Sequence, residues 1–471
     1  GMAAQEDTDY SADAEGNYTV MTAKGLAKIA NIVNGTGGEA QDSLAGKTVT
    51  LAADIDLAQG GVLGYDRNTL TADNSWIPIG NASANSFKGT FEGAGHKISN
   101  LYVQVSDAPS GLFGCNAGTI QNTELASGQI MLNVSPGSKS EYSVGMVAIN
   151  VNTVSGCVNR AEVKAVSETR TDDNIIYVGG IAGLANTSTA TEGSRIIGCV
   201  NYGDVSGSGK SGTLTQIYAG GVCGYNYGGM ISDRSSLIDD CANYGNVAVQ
   251  DCHTARAGGI AGYVYAQSSS ISAVVRNCIN TGYVYGNAGY CMTGGIVGYH
   301  YKTTSSILNC YNTGTVTGNK NNGGIVGLST GTVANCYNTG VVSGEGNQGG
   351  VAGKKNGGTI ANCYALDTSA SKLAGSGTLT SSSFFSSVGG VNTLETAVYE
   401  TTDLLTALNA WVDAQGSEEF FTWTDGEVTA GNSYPEFGKL WKEPVLLNVD
   451  HGQTSVAYTS QAIVANPTVT L

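Results

Sequence analysis

Asn309-Cys310-Tyr311-Asn312-Thr313-Gly314, then Gly323-Gly324-Ile325-Val326-Gly327, then Asn335-Cys336-Tyr337-Asn338-Thr339-Gly340, decides the fold of this chain. Both words run through its middle. The glycine word stands as Gly179-Gly180-Ile181-Ala182-Gly183, GGVCG at 220–224, GGIAG at 258–262, GGIVG at 294–298 and GGVAG at 349–353. Weaker copies are Gly111-Leu112-Phe113-Gly114 and Gly145-Met146-Val147-Ala148. The cysteine word recurs at Cys157, Cys199, Cys241, Cys278 and Cys363. A third word follows it: DVSG at 204–207, TVTG at 315–318 and VVSG at 341–344.

Successive cysteines of this set are 42, 42, 37, 32, 26 and 27 residues apart. The smallest unit is therefore about 26 residues, and earlier units carry insertions. Self-similarity at this scale marks a solenoid, a propeller or an array. A propeller blade needs four strands in about 40–50 residues, which excludes it here. No segment of the unit has helical periodicity. Three short strands and three turns per unit are expected, the coil of a parallel β-solenoid.

Stacked coils lie about 4.8 Å apart, so equivalent residues form ladders. Cys157, Cys199, Cys241, Cys278, Cys310, Cys336 and Cys363 are expected to pile up as buried thiols. In-register Cβ atoms at that spacing are too far apart for disulfides, which need about 3.8 Å. Two residues on, and so on the same strand face, stand Asn159, Asn201, Asn243, Asn280, Asn312 and Asn338, with Ala365 closing the series. A buried asparagine ladder satisfies turn backbone and neighbouring amides together. Cys252 and Cys291 precede glycine words in adjacent units, where pairing and free thiols both stay open.

Opposite parity turns Tyr202, Tyr244, Tyr311, Tyr337 and Tyr364 away from the cysteine side. One reading is an exposed strip for binding sugar or protein. The other is stability, through pairing between coils.

Composition agrees with many short strands and glycine turns. The chain has 471 residues with 68 Gly, only 6 Pro and 13% charged residues. A net charge of −16 argues against nucleic acid and anionic membranes as partners. No run is apolar and long enough for a membrane helix. Gly1-Met2 reads as a cloning scar, so a signal peptide or anchor is expected to have been removed.

These words resemble the GLUG-motif repeat of bacterial surface proteins. The likeness extends to Phe87–Leu101, Trp76-Ile-Pro-Ile-Gly80 and Ala53-Asp-Ile-Asp-Leu57, and covers about residues 17–440. The resemblance implies a right-handed β-solenoid, an extracellular or cell-envelope location and a role in adhesion. Such repeats also accompany metallopeptidase domains, but His-Glu-x-x-His is missing here.

Domain boundaries follow from the words. Residues 1–16 are expected to be disordered, 17–100 to form an N-terminal cap and lead-in coils, 101–380 the solenoid and 381–442 a C-terminal cap. Residues 443–471 are either extra strands or the start of a further domain. Leu26, Ile29, Ala30 and Val33 predict a helix over 22–34, capped by Thr22 and stopped by Asn34-Gly35. Lys47–Leu51 predicts a strand. Leu404, Leu405, Leu408 and Trp411 predict a second helix after Asp403, followed by strands at Phe420–Trp423 and Tyr434–Phe437.

No catalytic constellation emerges, and neither a metal nor a cofactor is expected. Asp172-Asp173 and Asp239-Asp240 are adjacent pairs, which point to opposite strand faces. His96 reads as a turn residue; His253 and His300 border glycine words, on one side of neighbouring coils; His451 stands alone. Asp54 and Asp56 alternate on a strand without the carbonyl-rich loop that Ca²⁺ needs. The expected protein is a non-catalytic, monomeric surface or secreted repeat protein. It binds a glycan or a protein through solenoid faces and through insertions at about 160–275. A carbohydrate-binding or carbohydrate-active β-helix is the alternative, and a carboxylate cluster with a basic residue on one face would favour it.

Overall fold

The computed structural model describes residues 3–58, 75–137, 140–168, 173–187, 193–210, 214–229, 235–427 and 431–438, with strands at 445–448 and 455–457. The chain is an all-β parallel solenoid. A minimal coil contains five short strands rather than three: Val316–Gly318, Asn321–Gly323, Val326–Ser329, Thr332–Ala334 and Tyr337–Asn338. Glycine and asparagine corners cut the coil into pieces too short for alternation to resolve. Stacking assembles these pieces into four long sheets, two of 13 strands, one of 12 and one of 9. Pairing between coils is parallel and in register, as Tyr311↔Tyr337 and Asn312↔Asn338 illustrate.

Two words of the repeat meet across the interior. A Cβ on Gly324 would stand 2.0 Å from Nδ2 of Asn338, and one on Gly221 would stand 2.1 Å from Cγ of Asn243. Only glycine leaves room there for the asparagine. Each asparagine amide in turn donates to the next: Asn159 to Asn201 at 3.0 Å, Asn201 to Asn243 and Asn243 to Asn280 at 2.9 Å, and Asn280 to Asn312 at 2.8 Å. The amide also clamps its own corner. Asn312 Nδ2 donates to the Gly314 carbonyl at 2.9 Å, and Gly314 N–H donates to Asn312 Oδ1 at 3.1 Å. At the top, where Ala365 replaces asparagine, Asn338 donates to the Gly350 carbonyl instead, at 2.9 Å.

The seven cysteines of the word lie beside this ladder, fully buried and free. Each thiol donates to the carbonyl two residues before it, as Cys310 does to Leu308 at 3.3 Å. Burial pushes the thiols of Cys199, Cys278, Cys310 and Cys363 up. Cys252 and Cys291 are free as well. The register sets Cys252 opposite Ala288 and Cys291 opposite Ala255, which removes the pairing alternative.

The first helix, α1 (Ala23–Asn34), has Thr22 as N-cap and Gly35 as a left-handed C-cap at φ 67°. Its buried face, Leu26, Ile29 and Val33, joins one core with Val49, Leu51 and Ile55 of the first coil. Residues 3–16 before it take up defined structure, contrary to the disorder expected for 1–16. Tyr10–Ala12 pairs antiparallel with Tyr18–Val20, and Asp9 accepts hydrogen bonds from Gln5 N–H at 2.9 Å and Thr22 Oγ1 at 2.7 Å. A polar composition hid this local knot.

The second helix, α2 (Leu404–Gln415), starts at Asp403, whose carboxylate accepts from Thr406 N–H at 2.9 Å. The C-terminal segment does more than cap an end. Its hairpin, Ser383–Val388 with Val391–Val398, extends the cysteine sheet. From there α2 and the Trp423–Phe437 strands fold back over the outside of that sheet. The asparagines that precede the cysteines hold them down. Asn277, Asn309 and Asn335 sit at φ 53–58°. Their side chains donate to carbonyls of Glu419 (2.8 Å), Phe421 (3.0 Å) and Leu408 (3.1 Å). Of 443–471, the described part is an antiparallel pair, Val445–Asn448 with Ser455–Ala457.

Insertions expected to be loops are partly strand. The two strands that flank 319–320 in a minimal coil become Glu162–Ser167 with Ile175–Gly179, and Val205–Ser208 with Gln216–Gly220. In the next coils they fuse into Val247–Gly258 and Val284–Gly294. Parts of the insertions, at 169–172, 188–192, 211–213 and 230–234, lie outside the described residues.

Candidate ligand-binding faces

Register stacks Tyr311 on Tyr337 and Tyr337 on Tyr364, on the outward side of the cysteine sheet. The rings of Tyr311 and Tyr337 are 5.1 Å apart and nearly parallel, at 4°. These three tyrosines are nevertheless not an exposed strip, for all three are buried. Trp423 packs on Tyr311 at 5.5 Å and on Tyr337 at 5.6 Å, and Phe437 on Tyr311 at 5.4 Å. The Tyr337 hydroxyl donates to the Pro435 carbonyl. Parity fixes inside against outside of the coil, not what covers the outside. Lower coils carry Val158, Val200, Ala242 and Ile279 at this position, so the face is apolar along its length.

Tyr202 and Tyr244 are half-buried on the same sheet. Their rings stack at 5.1 Å, and the guanidinium of Arg160 lies 4.2 Å over Tyr202. The five tyrosines thus form two groups, one covered and one at the surface.

A larger aromatic wall escaped the sequence reading. Tyr225, Tyr263 and Tyr299 are register partners in the glycine-word sheet, and so are Tyr227, Tyr265 and Tyr301 two residues on. Ring separations are 4.8 Å and 5.1 Å in the first rank, and 5.6 Å and 5.2 Å in the second. Tyr177, Tyr218 and Arg256 form a ladder in the adjoining sheet. The Arg256 guanidinium lies 4.5 Å from Tyr218, 4.3 Å from Tyr263 and 4.8 Å from Tyr299. Burial raises the Tyr177, Tyr225 and Tyr263 phenols, which stay neutral. The signal was the triplet Gly224-Tyr225-Asn226-Tyr227, Gly262-Tyr263-Val264-Tyr265 and Gly298-Tyr299-His300-Tyr301, a period of two directly after each glycine word.

The remaining candidates do not converge. His253 packs on Tyr290 at 5.0 Å, whereas His300 is buried inside the coil with Nδ1 3.2 Å from Ser329 Oγ. The two were expected on one side of neighbouring coils; they occupy different sheets. His96 Nδ1 lies 3.1 Å from Asp54 Oδ1 in the lead-in turn. Asp54 also accepts from Lys97 N–H, the main reason its carboxyl sits below the usual range. Asp56 accepts from Asn100 Nδ2 at 2.8 Å. Asp239 holds Arg276 at 3.1 Å and Asn277 at 2.8 Å, while Asp240 is buried at φ 56°. Asp173 is exposed; Asp172 and His451 lie outside the described residues. Among the described residues no three His, Cys, Asp or Glu side chains form a metal-holding group, and no helix is long and apolar enough to cross a membrane.

The family described as the GLUG motif matches residues 289–317, which contain one glycine word and one cysteine word. Halomucin of Haloquadratum walsbyi (strain DSM 16790 / HBSQ001) is 34% identical over 161 residues, which is 33% of this chain. The chain spans about 2% of the length of that curated relative. A solved structure of Bacteroides ovatus, named for an immunoglobulin A1 protease, is similar at 18% identity and a TM-score of 0.43, covering 91% of this chain and 94% of that one. The chain is a repeat protein that carries the GLUG motif on a parallel β-solenoid.

Proposed function

We propose that this chain is a non-catalytic protein of the cell surface or extracellular space that holds its ligand on tyrosine-lined side faces of the solenoid. The wall of Tyr225, Tyr227, Tyr263, Tyr265, Tyr299 and Tyr301 carries the reading. Tyrosine supplies rigid, amphipathic contact area at low entropic cost. The ring faces are spent on one another and on Arg256. With the faces taken, ring edges and hydroxyls of these half-buried tyrosines are what is left to offer, which suits a hydroxyl- or carbonyl-rich partner. The GLUG motif and the halomucin match support the location. A binding role without catalysis fits the carboxylates Asp239 and Glu124, each committed to an arginine.

The test is an array of extracellular glycans and proteins probed with the chain and with its Tyr227→Ala/Tyr265→Ala/Tyr301→Ala variant. We expect a ligand whose affinity falls at least tenfold in the variant at unchanged circular dichroism. Equal affinity of the two, or cleavage of the ligand, contradicts the reading.

A further inference from the structure

A second opening lies at the corner where the cysteine sheet turns into the sheet of the DVSG word. It is a cleft of about 410 Å³, within the range of small-ligand sites. Four consecutive coils line it, with Asn100, Gln129, Arg160, Glu162, Tyr202 and Asp204 among the lining residues. Four stacked coils at about 4.8 Å spacing span about 14 Å along the solenoid axis. Its floor is backbone at Gly203, where a Cβ would stand 1.9 Å from the Ala161 carbonyl oxygen.

Arg160 is fixed before any ligand arrives. Its Nε donates to Glu124 Oε1 at 3.0 Å, and its guanidinium lies over Tyr202 at 4.2 Å. Glu124 is buried, with a side chain 7% exposed, and is shared by Arg160 and by Lys97, whose Nζ lies 3.6 Å from its other oxygen, so one positive charge of the three stays uncancelled in the wall. Glu162 accepts from Gln129 Nε2 at 3.3 Å, and Asp204 accepts from Asn246 N–H at 3.0 Å. Each carboxylate has further lone pairs to offer.

We propose that this cleft binds a short neutral oligosaccharide, laid along the solenoid axis and read by hydrogen bonds. The chemistry narrows the ligand stepwise. The lining is amide, carboxylate, guanidinium and phenol, which offers no apolar pocket to a peptide side chain. Glu162 and Asp204 together outweigh the single positive charge that Glu124 leaves between Arg160 and Lys97, which disfavours phosphate, sulfate and uronate groups. Both faces of Tyr202 are occupied, by Arg160 and by Tyr244, and Tyr102, the other ring of the lining, is buried, so flat aromatic ligands find no open ring face to stack on. Adjacent hydroxyls remain, each donating to a carboxylate and accepting from Arg160 or an amide. This site lies on a different face from the tyrosine wall, so the two readings fail independently.

The test is titration calorimetry of the whole chain with neutral, acidic and amino oligosaccharides. It is repeated for Glu162→Gln, for Asp204→Asn and for the tyrosine-wall triple variant, with melting curves confirming the fold. Expected is millimolar or tighter binding of a neutral oligosaccharide. It should weaken at least tenfold in Glu162→Gln and in Asp204→Asn, stay unchanged in the wall variant, and vary little with salt. Failure to bind any neutral oligosaccharide, preference for acidic or amino sugars, or unchanged affinity in both carboxylate variants overturns the proposal.

Discussion

The side-chain amide of Asn312 donates to Oδ1 of Asn338 at 2.8 Å, although 26 residues separate the two in sequence. Both lie in a fully buried ladder that runs from Asn159 upward. The bond joins one coil to the next, while bonds to Gly314 N–H and carbonyl close the corner of Asn312's own coil.

Replacing Asn312 with Ala removes these bonds at once and strands buried partners on Gly314, Asn280 and Asn338. Unsatisfied buried groups cost about 1–3 kcal/mol each, so a loss of about 3 kcal/mol is expected. Urea denaturation measures it, and hydrogen exchange should show the Gly314 amide opening first.

Gly324→Ala tests the contact between the two repeat words. The new methyl would stand 2.0 Å from Asn338 Nδ2 inside a packed coil. Overpacking of this kind costs about 1–3 kcal/mol. A lowered melting temperature is expected, together with displaced NMR signals of the Asn338 side-chain amide.

These two residues also show how far the sequence can be read. Recurrence of the cysteine and glycine words was enough to infer parallel stacking, buried thiols and a shared asparagine face, because an in-register ladder forces like on like. The corners were not legible, since strands of two or three residues leave no periodicity; hence five strands per coil instead of three. Nor was the lid, because the outward position of Tyr311 says nothing about a segment that returns from about 110 residues away to cover it. The indole Nε1–H of Trp423 on Asn309 Oδ1, at 2.8 Å, is that kind of contact. The tyrosine wall was written in the Gly-Tyr-x-Tyr triplet, but the pattern occupies only three coils and so stands outside the words that recur along the whole solenoid.

Acid should destabilise the protein through His300. Burial lowers its pKa from 6.5 to about 4. The unfolded chain therefore binds the proton first, and stability present above about pH 6.5 is lost as pH falls towards 4, with no further loss below. At 1.36 kcal/mol per pKa unit this amounts to about 3 kcal/mol. Denaturation midpoints of the native chain and His300→Gln, compared from pH 7 to 4, should converge across that window. Parallel pH curves contradict the assignment.

Trp423→Ala should loosen the lid and leave the coils intact. Trp423 packs on Phe437 at 4.6 Å as well as on Tyr311 and Tyr337. Truncating a buried tryptophan costs about 3–5 kcal/mol, here borne by the C-terminal segment. Limited proteolysis should then cut between residues 385 and 438, while the eleven thiols stay unreactive towards a thiol reagent. Exposure of Cys310 or Cys336 on lid loosening would show that this segment holds the solenoid together.

A crystal structure of the chain that resolves Cys310 and Cys336 is the most direct measurement of all. Coil-on-coil stacking predicts their Cα atoms about 4.8 Å apart, on parallel segments, with the Asn312 amide over Asn338. Antiparallel segments at these positions, or cysteines several strand spacings apart, would contradict it.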